Sequence, residues 1–319
     1  MHETDDERTT SAGKKIMEFI KSGINFDFVG KMKLAFGISV AAMVISFASV
    51  IWHGGLNYGI DFAGGTLVQL KFQKETSTEQ IRNAFKPIGL QSVVIQPFGD
   101  REVVIRIGDV AAGGNELTAM ITESLRTALG PGAFEVRRVE MVGPKVGKDL
   151  TRKAIFAIVF SWIGMLAYIA WRFEFRYAVG GILALVHDTT ITIGVMSLLN
   201  KEFDLTIVAA LLTIIGYSIN DTIVVFDRIR ENARKNIKQP LVQVINDSIN
   251  QTLSRTILMS FTVFLVLLSL FFLGGAVIHD FSFALLVGVV VGTYSSIFVA
   301  SPIVLAWERY RPSRSKRKK

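Results

Sequence analysis

The stretch IVAALLTIIGYSINDTIVVFD, residues 207–227, decides the fold because it is almost entirely apolar yet carries a carboxyl group inside it. A helix of about 20 residues, rising about 1.5 Å per residue, crosses the roughly 30 Å hydrocarbon layer of a membrane. This run is long enough, so Asp221 and its neighbour Asn220 are expected inside the membrane. An ionisable side chain at that depth is expensive and indicates a functional site. The chain is therefore predicted to be a membrane protein with chemistry inside the bilayer.

Five more apolar runs of similar length accompany this one, and the composition agrees with them. Half of the 319 residues are hydrophobic and 19% are charged, whereas soluble domains carry about 25% charged residues. The six predicted spans are residues 34–52, 154–171, 177–199, 207–227, 256–273 and 282–307. The first span lacks a clean cleavage site, so we interpret it as an uncleaved helix. The predicted fold class is a membrane α-helical bundle of six transmembrane helices.

Lysine and arginine are distributed unevenly among the segments outside these spans. They are concentrated in residues 1–33, 172–176, 228–255 and 308–319, and Lys201 is the one basic residue in the remaining short segments. Because cytoplasmic segments are enriched in basic residues, the four basic segments are expected in the cytoplasm, together with both termini. The tail 308–319 either anchors this topology or contacts anionic lipid or RNA. Within segment 228–255, one helical face after Pro240 is apolar, which predicts an amphipathic helix on the cytoplasmic side. The residues of this face are Leu241, Val244, Ile245 and Ile249.

Residues 53–153, between the first two spans, are predicted to form an external domain. Its acidic and basic side chains nearly cancel, so a nucleic-acid surface is not expected. Alternating and helical periodicities predict the order β-α-β-β-α-β. The elements are residues 66–72, 77–85, 93–97, 102–107, 116–129 and 134–142. This order is that of an inserted α+β ferredoxin-like domain, a fold that does not by itself identify a function.

Polar residues in the third and fourth spans are the candidate functional residues. The third span contains His187 and Asp188, and the fourth contains Asn220 and Asp221. A charged Asp at the centre of a membrane helix costs about 2.5–3.5 kcal/mol. Keeping an Asp neutral at pH 7 costs about 4 kcal/mol, since it ordinarily ionises near pH 3.9. Because neither state is cheap, such a carboxyl is suited to binding and releasing a proton.

Helical spacing predicts that these groups share one site. Four residues of the fourth span fall on one helical face: Thr213, Tyr217, Asn220 and Asp221. In the third span, Asp188 and Thr192 are four residues apart, and the short connection makes the two spans antiparallel neighbours. The alternative is that these polar groups only hydrogen-bond to fix helix packing. Asp227 and Arg228, at the cytoplasmic end, are interpreted as an interfacial ion pair.

Small residues recur at four-residue intervals in the sixth span: Gly288, Gly292, Ser296 and Ala300. Such a stripe lets helices approach closely. We interpret it as a packing surface without chemistry.

Enzymatic activity is not expected. The chain contains no cysteine, its four histidines lack metal-ligand spacing, and no glycine-rich phosphate loop is present. Two intramembrane aspartates are also found in aspartyl proteases, but that chemistry needs carboxyls about 3 Å apart that share a proton. The sequence context of Asp188 and Asp221 does not favour that arrangement.

Four segments of the chain resemble the SecD/SecF family, membrane subunits of the bacterial SecDF accessory complex in the Sec protein-export machinery. Residues 57–66 (NYGIDFAGGT) are similar to a segment shared by SecD and SecF, and residues 142–147 (VGPKVG) to a motif before the second span. Residues 216–232 (GYSINDTIVVFDRIREN) are the most specific match, and residues 252–256 (TLSRT) follow in order. The resemblance covers nearly the whole chain and is to the smaller, SecF-type subunit.

This resemblance implies membership of the RND superfamily and pairing with SecD, which gives twelve spans around a pseudo-twofold axis. It also implies association with the SecYEG channel and YajC in the bacterial inner membrane. The energy source would be the proton gradient, without a bound cofactor, and the complex would help to pull unfolded polypeptide outward. Asp188 and Asp221 would be the proton-relay carboxyls, with His187 and Asn220 as polar neighbours. The external domain would sense or grip the exported chain.

Two alternatives stay open from the sequence: a proton-coupled exporter of small molecules of the RND type, and a scaffold that stabilises the translocon without using energy. The external-domain motif consists of Gly59, Asp61, Gly64 and Gly65. Its three glycines form either a hinge or a tight turn into the first strand.

Overall fold

The computed structural model describes residues 25–90, 93–97, 99, 101–108 and 114–310. The helices are α1 Phe28–Trp52, α2 Ile60–Ala63, α3 Thr78–Phe85, α4 Gly114–Leu129, α5 Pro144–Arg172, α6 Phe175–Leu198, α7 Leu205–Lys235, α8 Leu241–Leu273, α9 Ala276–Ser295 and α10 Ser301–Tyr310. The strands are β1 Gly65–Phe72, β2 Val94–Pro97, β3 Glu102–Ile107 and β4 Phe134–Val142. Most of the predicted segment 1–33 and of the tail 308–319 lies outside the described residues.

Six helices in the described part of the chain are long and apolar enough to span a membrane: α1, α5, α6, α7, α8, and α9 continued through a π-helical turn into α10. The most extensively buried are α6, α7 and α9–α10, which form the centre of the bundle, whereas α1, α5 and α8 face outward. The six-helix membrane fold predicted from the sequence is confirmed. Its centre is therefore built from the helices that carry the predicted polar residues.

The external domain is a four-stranded antiparallel sheet with two helices against one face. Its strand order, β2-β3-β1-β4, is that of the ferredoxin-like fold predicted from the element order. Apolar side chains from β1, β3 and both helices form its core, among them Leu70, Phe85, Ile105, Ile121 and Leu125. Helix α3 begins at a reciprocal capping box, in which the Ser77 side chain accepts from the Gln80 backbone and the Gln80 side chain accepts from the Ser77 backbone. The domain therefore has its own core, separate from that of the bundle.

Contacts between the connecting segments show which parts of the chain lie at each end of the bundle. The loop between α6 and α7 lies beside the external domain, because the N–H of Phe203 donates to the carbonyl of Asn57 at 2.8 Å. At the opposite end, the N–H of Phe26 donates to Asn250 of α8 at 2.8 Å. Glu308, near the end of α10, pairs with Arg176 at the start of α6. Both ends of the described chain therefore lie on the side away from the external domain.

The segment predicted to contain a cytoplasmic amphipathic helix, residues 228–255, is divided between two long helices, and the predicted helix after Pro240 does begin at Leu241. Its first part is the continuation of α7, and its second part is the beginning of the 33-residue helix α8, which continues into the membrane span. The apolar face that suggested a surface helix is packed into the bundle core, since Val244, Ile245 and Ile249 are buried. Periodicity alone does not reveal where an amphipathic stretch fuses with an adjacent span.

Candidate functional site

Asp188 lies in the centre of the bundle, on α6, and is fully buried. Its Oδ2 accepts hydrogen bonds from hydroxyls of two other helices, Ser218 on α7 at 2.6 Å and Ser295 on α9 at 2.8 Å. Its Oδ1 lies 2.9 Å from Nδ1 of His187. Three helices therefore meet at this carboxyl. Their polar groups offset the cost of removing it from water.

Asp221 on α7 is also buried, with 8% of its surface exposed. Its Oδ1 accepts from the hydroxyl of Thr256 on α8 at 2.7 Å, and its Oδ2 accepts from Ser296 at 2.8 Å. The positive charge of Arg255, one residue before Thr256, also acts on this carboxyl. The two aspartates therefore have different sets of partners, and each set spans several helices.

Two serines at the start of a π-helical turn donate hydrogen bonds to the two carboxyls. Residues Ser296–Ala300 are π-helical between α9 and α10, and the hydroxyl of Ser301 donates to the carbonyl of Ser296 at 3.0 Å. Neighbouring residues on a helix diverge by about 100°, so Ser295 bonds Asp188 while Ser296 bonds Asp221. Turns of this kind are rare and are frequent at functional sites. A change in this turn would alter the surroundings of both aspartates.

His187 extends the Asp188 cluster toward α1. Its ring is buried and stacks on Tyr294 with centroids 6.2 Å apart. The Tyr294 hydroxyl donates to the carbonyl of Ala35 on α1 at 2.7 Å. The second ring nitrogen of His187, Nε2, is buried and has no hydrogen-bond partner among the described residues. The His187 ring therefore links the Asp188 cluster to Tyr294 and, through Tyr294, to α1.

The predicted polar face of the fourth span is wrong in part. Asn220 and Thr213 are exposed on the outer side of α7, away from the buried carboxyls. Tyr217 is half-buried and has a side-chain hydrogen bond with Ser260 of α8. In α6, Thr192 is buried, but its hydroxyl donates to the main-chain carbonyl of Asp188 rather than to the carboxyl. The inward face of α7 is set by Ser218 and Asp221, one turn apart.

Two further predictions need correction. Ser296 is not only a packing residue, because it donates to Asp221. Gly288 and Gly292 do lie against α7, and the carbonyl of Ala300 lies against Gly180 of α6. Asp227 and Arg228 do not pair with each other. The bonds that they form are Asp227 with Arg172 at 3.9 Å, Arg228 with Glu231 at 2.7 Å and Arg228 with Gln251 at 2.6 Å.

The sequence interpretation missed three hydroxyls that contact the carboxyls: Ser218, Thr256 and Ser295. Serine and threonine in helices commonly donate to a carbonyl of their own helix, so their presence did not indicate contacts between helices. One usable signal was the adjacent pair Ser295-Ser296 inside an otherwise apolar span. The other was the position of Ser218 three residues before Asp221.

The external-domain motif lies where the domain joins the bundle. The Asp61 carboxylate accepts from the N–H of Leu205, the first residue of α7, at 3.0 Å. Gly64 and Gly65 have φ angles of 77° and 120°, and a Cβ on Gly65 would lie 2.4 Å from a carbonyl oxygen of β3. A tight turn therefore accounts for this pair of glycines. Gly59 lies against the loop between α6 and α7, where a Cβ would meet the Glu202 side chain at 2.7 Å.

Six membrane helices, an external α+β domain and buried carboxyls with hydroxyl partners define a multi-pass membrane protein of the transport type. In the part of the chain that the structure describes, no group of three or more His, Asp or Glu side chains is placed to hold a metal ion.

Comparison with known proteins identifies the family. Residues 121–310 match the family described as protein export membrane protein SecD/SecF, C-terminal, and residues 49–76 match the SecD/SecF GG motif. The chain belongs to the SecD/SecF family of protein-export membrane proteins. This confirms the family resemblance found in the sequence.

Individual relatives agree. Protein translocase subunit SecF of Magnetococcus marinus is 48% identical over 293 residues, covering 91% of this chain and 94% of the relative. The corresponding subunit of Calditerrivibrio nitroreducens is 49% identical over 296 residues, covering 91% and 96%. A crystal structure of SecDF, a translocon-associated membrane protein from Thermus thermophilus, superposes with a TM-score of 0.83 at 37% identity over 95% of this chain. This chain spans 41% of that SecDF chain.

Proposed function

We propose that this chain is the SecF-type subunit of a Sec protein-export accessory complex that uses the proton gradient to assist late polypeptide translocation. The family and the 48–49% identical translocase subunits support the pathway. The observation that carries the energetic part is the pair of buried carboxyls, Asp188 and Asp221, hydrogen-bonded by hydroxyls from several helices. The proton gradient is the energy source in this proposal, and no bound cofactor is required.

Hydroxyl partners suit a carboxyl that changes its protonation state. A serine or threonine hydroxyl donates to a carboxylate and, after rotating, accepts from a protonated carboxyl. An arginine has donors only, so it favours the charged form and cannot accept the O–H of a protonated carboxyl. Asp188 and Asp221 can therefore keep hydrogen-bond partners in both states, which lowers the cost of each proton transfer.

Protonation can be transmitted through the π-helical turn at Ser296–Ala300. Ser295 and Ser296 bond the two carboxyls from adjacent positions, so loss of charge at either aspartate weakens one of the contacts that hold this turn in place. One proton crossing 100 mV releases about 2.3 kcal/mol. That energy is comparable to one or two hydrogen bonds to a charged group, enough to shift the equilibrium between two packings of the helices.

A partner chain is part of the proposal. The SecDF chain of known structure is longer and includes a region matching this chain, which supports a complex with a separate SecD chain. The outward face of α7 is polar or small where lipid would favour large apolar residues: Thr206, Ala209, Thr213, Gly216 and Asn220. Small residues permit close helix packing in membranes, so we assign this face to the SecD contact.

The remaining assignments follow from the same pathway. We propose contacts with the SecYEG channel and YajC, with unfolded polypeptide at the external domain. The proposed location is the bacterial inner membrane, with both termini in the cytoplasm, as the basic segments indicate.

The test uses vesicles that contain this chain, SecD and the translocon, with translocation measured with and without a proton gradient. Asp188→Asn and Asp221→Asn are each expected to remove the stimulation by the gradient, because an amide does not carry the proton. Thr189→Val is the matched control: its hydroxyl donates to a carbonyl of its own helix, next to Asp188, and stimulation is expected to persist.

Unchanged stimulation in both aspartate variants would contradict the relay. Translocation support that is insensitive to uncouplers would favour the scaffold alternative. Gradient-driven efflux of small molecules without an effect on translocation would favour the exporter.

A further inference from the structure

The external sheet contacts the bundle through an ion pair. Nη2 of Arg106, on β3, lies 2.8 Å from Oε2 of Glu202 in the loop between α6 and α7, and these side chains are 10% and 22% exposed. Arg106 also hydrogen-bonds Gln96 on β2. We call Arg106 and Glu202 the docking contact.

The two sides of the sheet are attached to the bundle differently. Strand β1 follows α2 directly, and β4 continues through Gly143 into α5, so these strands are tied covalently. Strand β3 has no such connection, and it reaches the bundle through the side chain of Arg106. The docking contact therefore influences how the sheet sits on the outer ends of the membrane helices.

A polar cavity of about 530 Å³ lies between the sheet and the bundle, and both residues of the docking contact line it. From the bundle side it is lined by Lys201, Asp204, His279 and Asp280, and α2 contributes Asp61. From the sheet side β4 contributes Arg138 and Glu140, which pair with each other. Lys201 and His279 both contact Asp280, at 2.8 and 3.1 Å. The cavity is partly open, so water and protons from the outer side reach Glu202.

Glu202 is surrounded by more negative charge than Arg106 balances. Burial raises the pKa of Glu202 to about 7, Arg106 opposes the increase, and the carboxylates of Asp204, Asp280 and Asp61 add to it. Burial also raises the pKa of Asp204, against the hydrogen bond from the N–H of Ile207. Leaving the docked position would return Glu202 to water, where its ordinary pKa is 4.5.

We propose that the docking contact is a proton-binding site of the outer face, at which Glu202 takes up one proton when the external sheet seats on the bundle. The docked form binds the proton more tightly than the undocked form. Docking is therefore favoured as pH falls, by up to about tenfold per pH unit between pH 7 and pH 5. Above about pH 7 both forms are ionised, this dependence ends, and Arg106 supports the docked carboxylate. The inference goes beyond the proposed relay and does not depend on Asp188 or Asp221.

The experiment measures docking directly in the complex with a cysteine-free SecD in lipid nanodiscs, without a proton gradient. Because this chain contains no cysteine, spin labels can be attached after Glu79→Cys on α3 and Leu199→Cys at the end of α6, both exposed positions. Distance distributions are recorded from pH 5 to pH 8. The docked-to-undocked ratio is expected to rise up to about tenfold per unit from pH 7 to pH 5.

Three variants make the test specific. Glu202→Gln is expected to give a ratio independent of pH and close to the natural chain at pH 5. Arg106→Gln is expected to match the natural chain at pH 5 and to lose docking at pH 8. Lys71→Gln, which removes a 3.6 Å ion pair with Glu102 on the same sheet, is the matched control and should follow the natural chain.

A distance distribution that ignores pH in the natural chain would overturn the proposal. So would a pH dependence that persists in Glu202→Gln, because the proton would then bind to another group of the cavity. Full docking of Arg106→Gln at pH 8 would likewise exclude Arg106 from the contact. None of these outcomes bears on gradient-driven translocation, so this test and the relay test fail separately.

Discussion

Carboxyl groups inside the bundle and at its outer end are satisfied by different kinds of donor. Asp188 and Asp221 accept from hydroxyls of neighbouring helices. Asp61 and Asp204 instead accept from backbone N–H groups in the first turn of α7, at 3.0 and 2.8 Å. A backbone N–H is a fixed donor beside the positive end of the helix dipole, so it favours the charged carboxylate. A hydroxyl reorients, so it suits either protonation state.

This difference separates two roles for the same side chain. Asp61 and Asp204 stabilise the start of α7 and act as structural caps. The inner carboxyls make the bundle expensive to fold in either protonation state, so their contribution is expected in transport rather than in stability. Each of the following predictions tests one side of this distinction, beginning with the largest expected effect.

The largest effect is expected from separating α9 from α7. A Cβ on Gly288 would lie 2.3 Å from side-chain atoms of Ile214, so Gly288→Leu should destabilise the complex by about 3 kcal/mol through overpacking. Because Ser295 and Ser296 would move with α9, gradient stimulation should also be lost. Thermal unfolding of the SecD complex and vesicle translocation measure the two effects. Gly164→Ala, at a helical glycine whose Cβ would meet no atom within 4 Å, should leave both unchanged.

Asp188→Asn is expected to have a smaller effect on stability, and of the opposite sign. Removing a buried ionisable group while keeping its shape should leave stability equal or raise it by about 1 kcal/mol at pH 8. Thermal unfolding in nanodiscs measures this change in stability. A loss of more than about 1 kcal/mol would instead support the alternative that Asp188 mainly fixes helix packing.

Much of the inner site could be predicted from sequence because its signal is local. A carboxyl within an apolar run of 20 residues can be recognised from the sequence alone, and both aspartates do lie within membrane-spanning helices. The side of α7 that faces the centre of the bundle was less predictable. Choosing the face of Tyr217 and Asn220 rather than that of Ser218 requires knowing which side of α7 meets α6 and α9, and that depends on the packing of the whole bundle.

The external fold was predictable for the same reason, since alternation and turn residues give the order of its elements and β-α-β-β-α-β restricts the topology. Contacts between distant segments were not predictable. Arg106 and Glu202 are far apart in the chain, and neither lies in a distinctive motif. The π-helical turn at Ser296–Ala300 also carries no sequence signal apart from two adjacent serines.

Asp61→Ala tests the capping side of the comparison. Removing this acceptor leaves the N–H of Leu205 without its carboxylate, so the complex should lose about 1 kcal/mol, typical of an N-terminal cap. Gradient stimulation should persist, because Asp61 is not proposed to carry a transported proton. Asp61→Asn keeps an acceptor oxygen and should restore most of the stability, as measured by thermal unfolding. Loss of stimulation in Asp61→Ala at unchanged stability would contradict the capping role.

The smallest effect is expected at a third kind of carboxyl, one that is paired but exposed. Asp149 lies 2.7 Å from Lys153 on α5, with more than half of each side chain exposed. Because water competes for such a pair, Asp149→Ala should change stability by no more than about 0.5 kcal/mol. This contact is shorter than the 3.0 Å bond of Asp61, so the two variants separate contact length from the type of partner. Equal losses in the two variants would mean that distance matters more than whether the partner is a backbone N–H at a helix start or a mobile lysine in water.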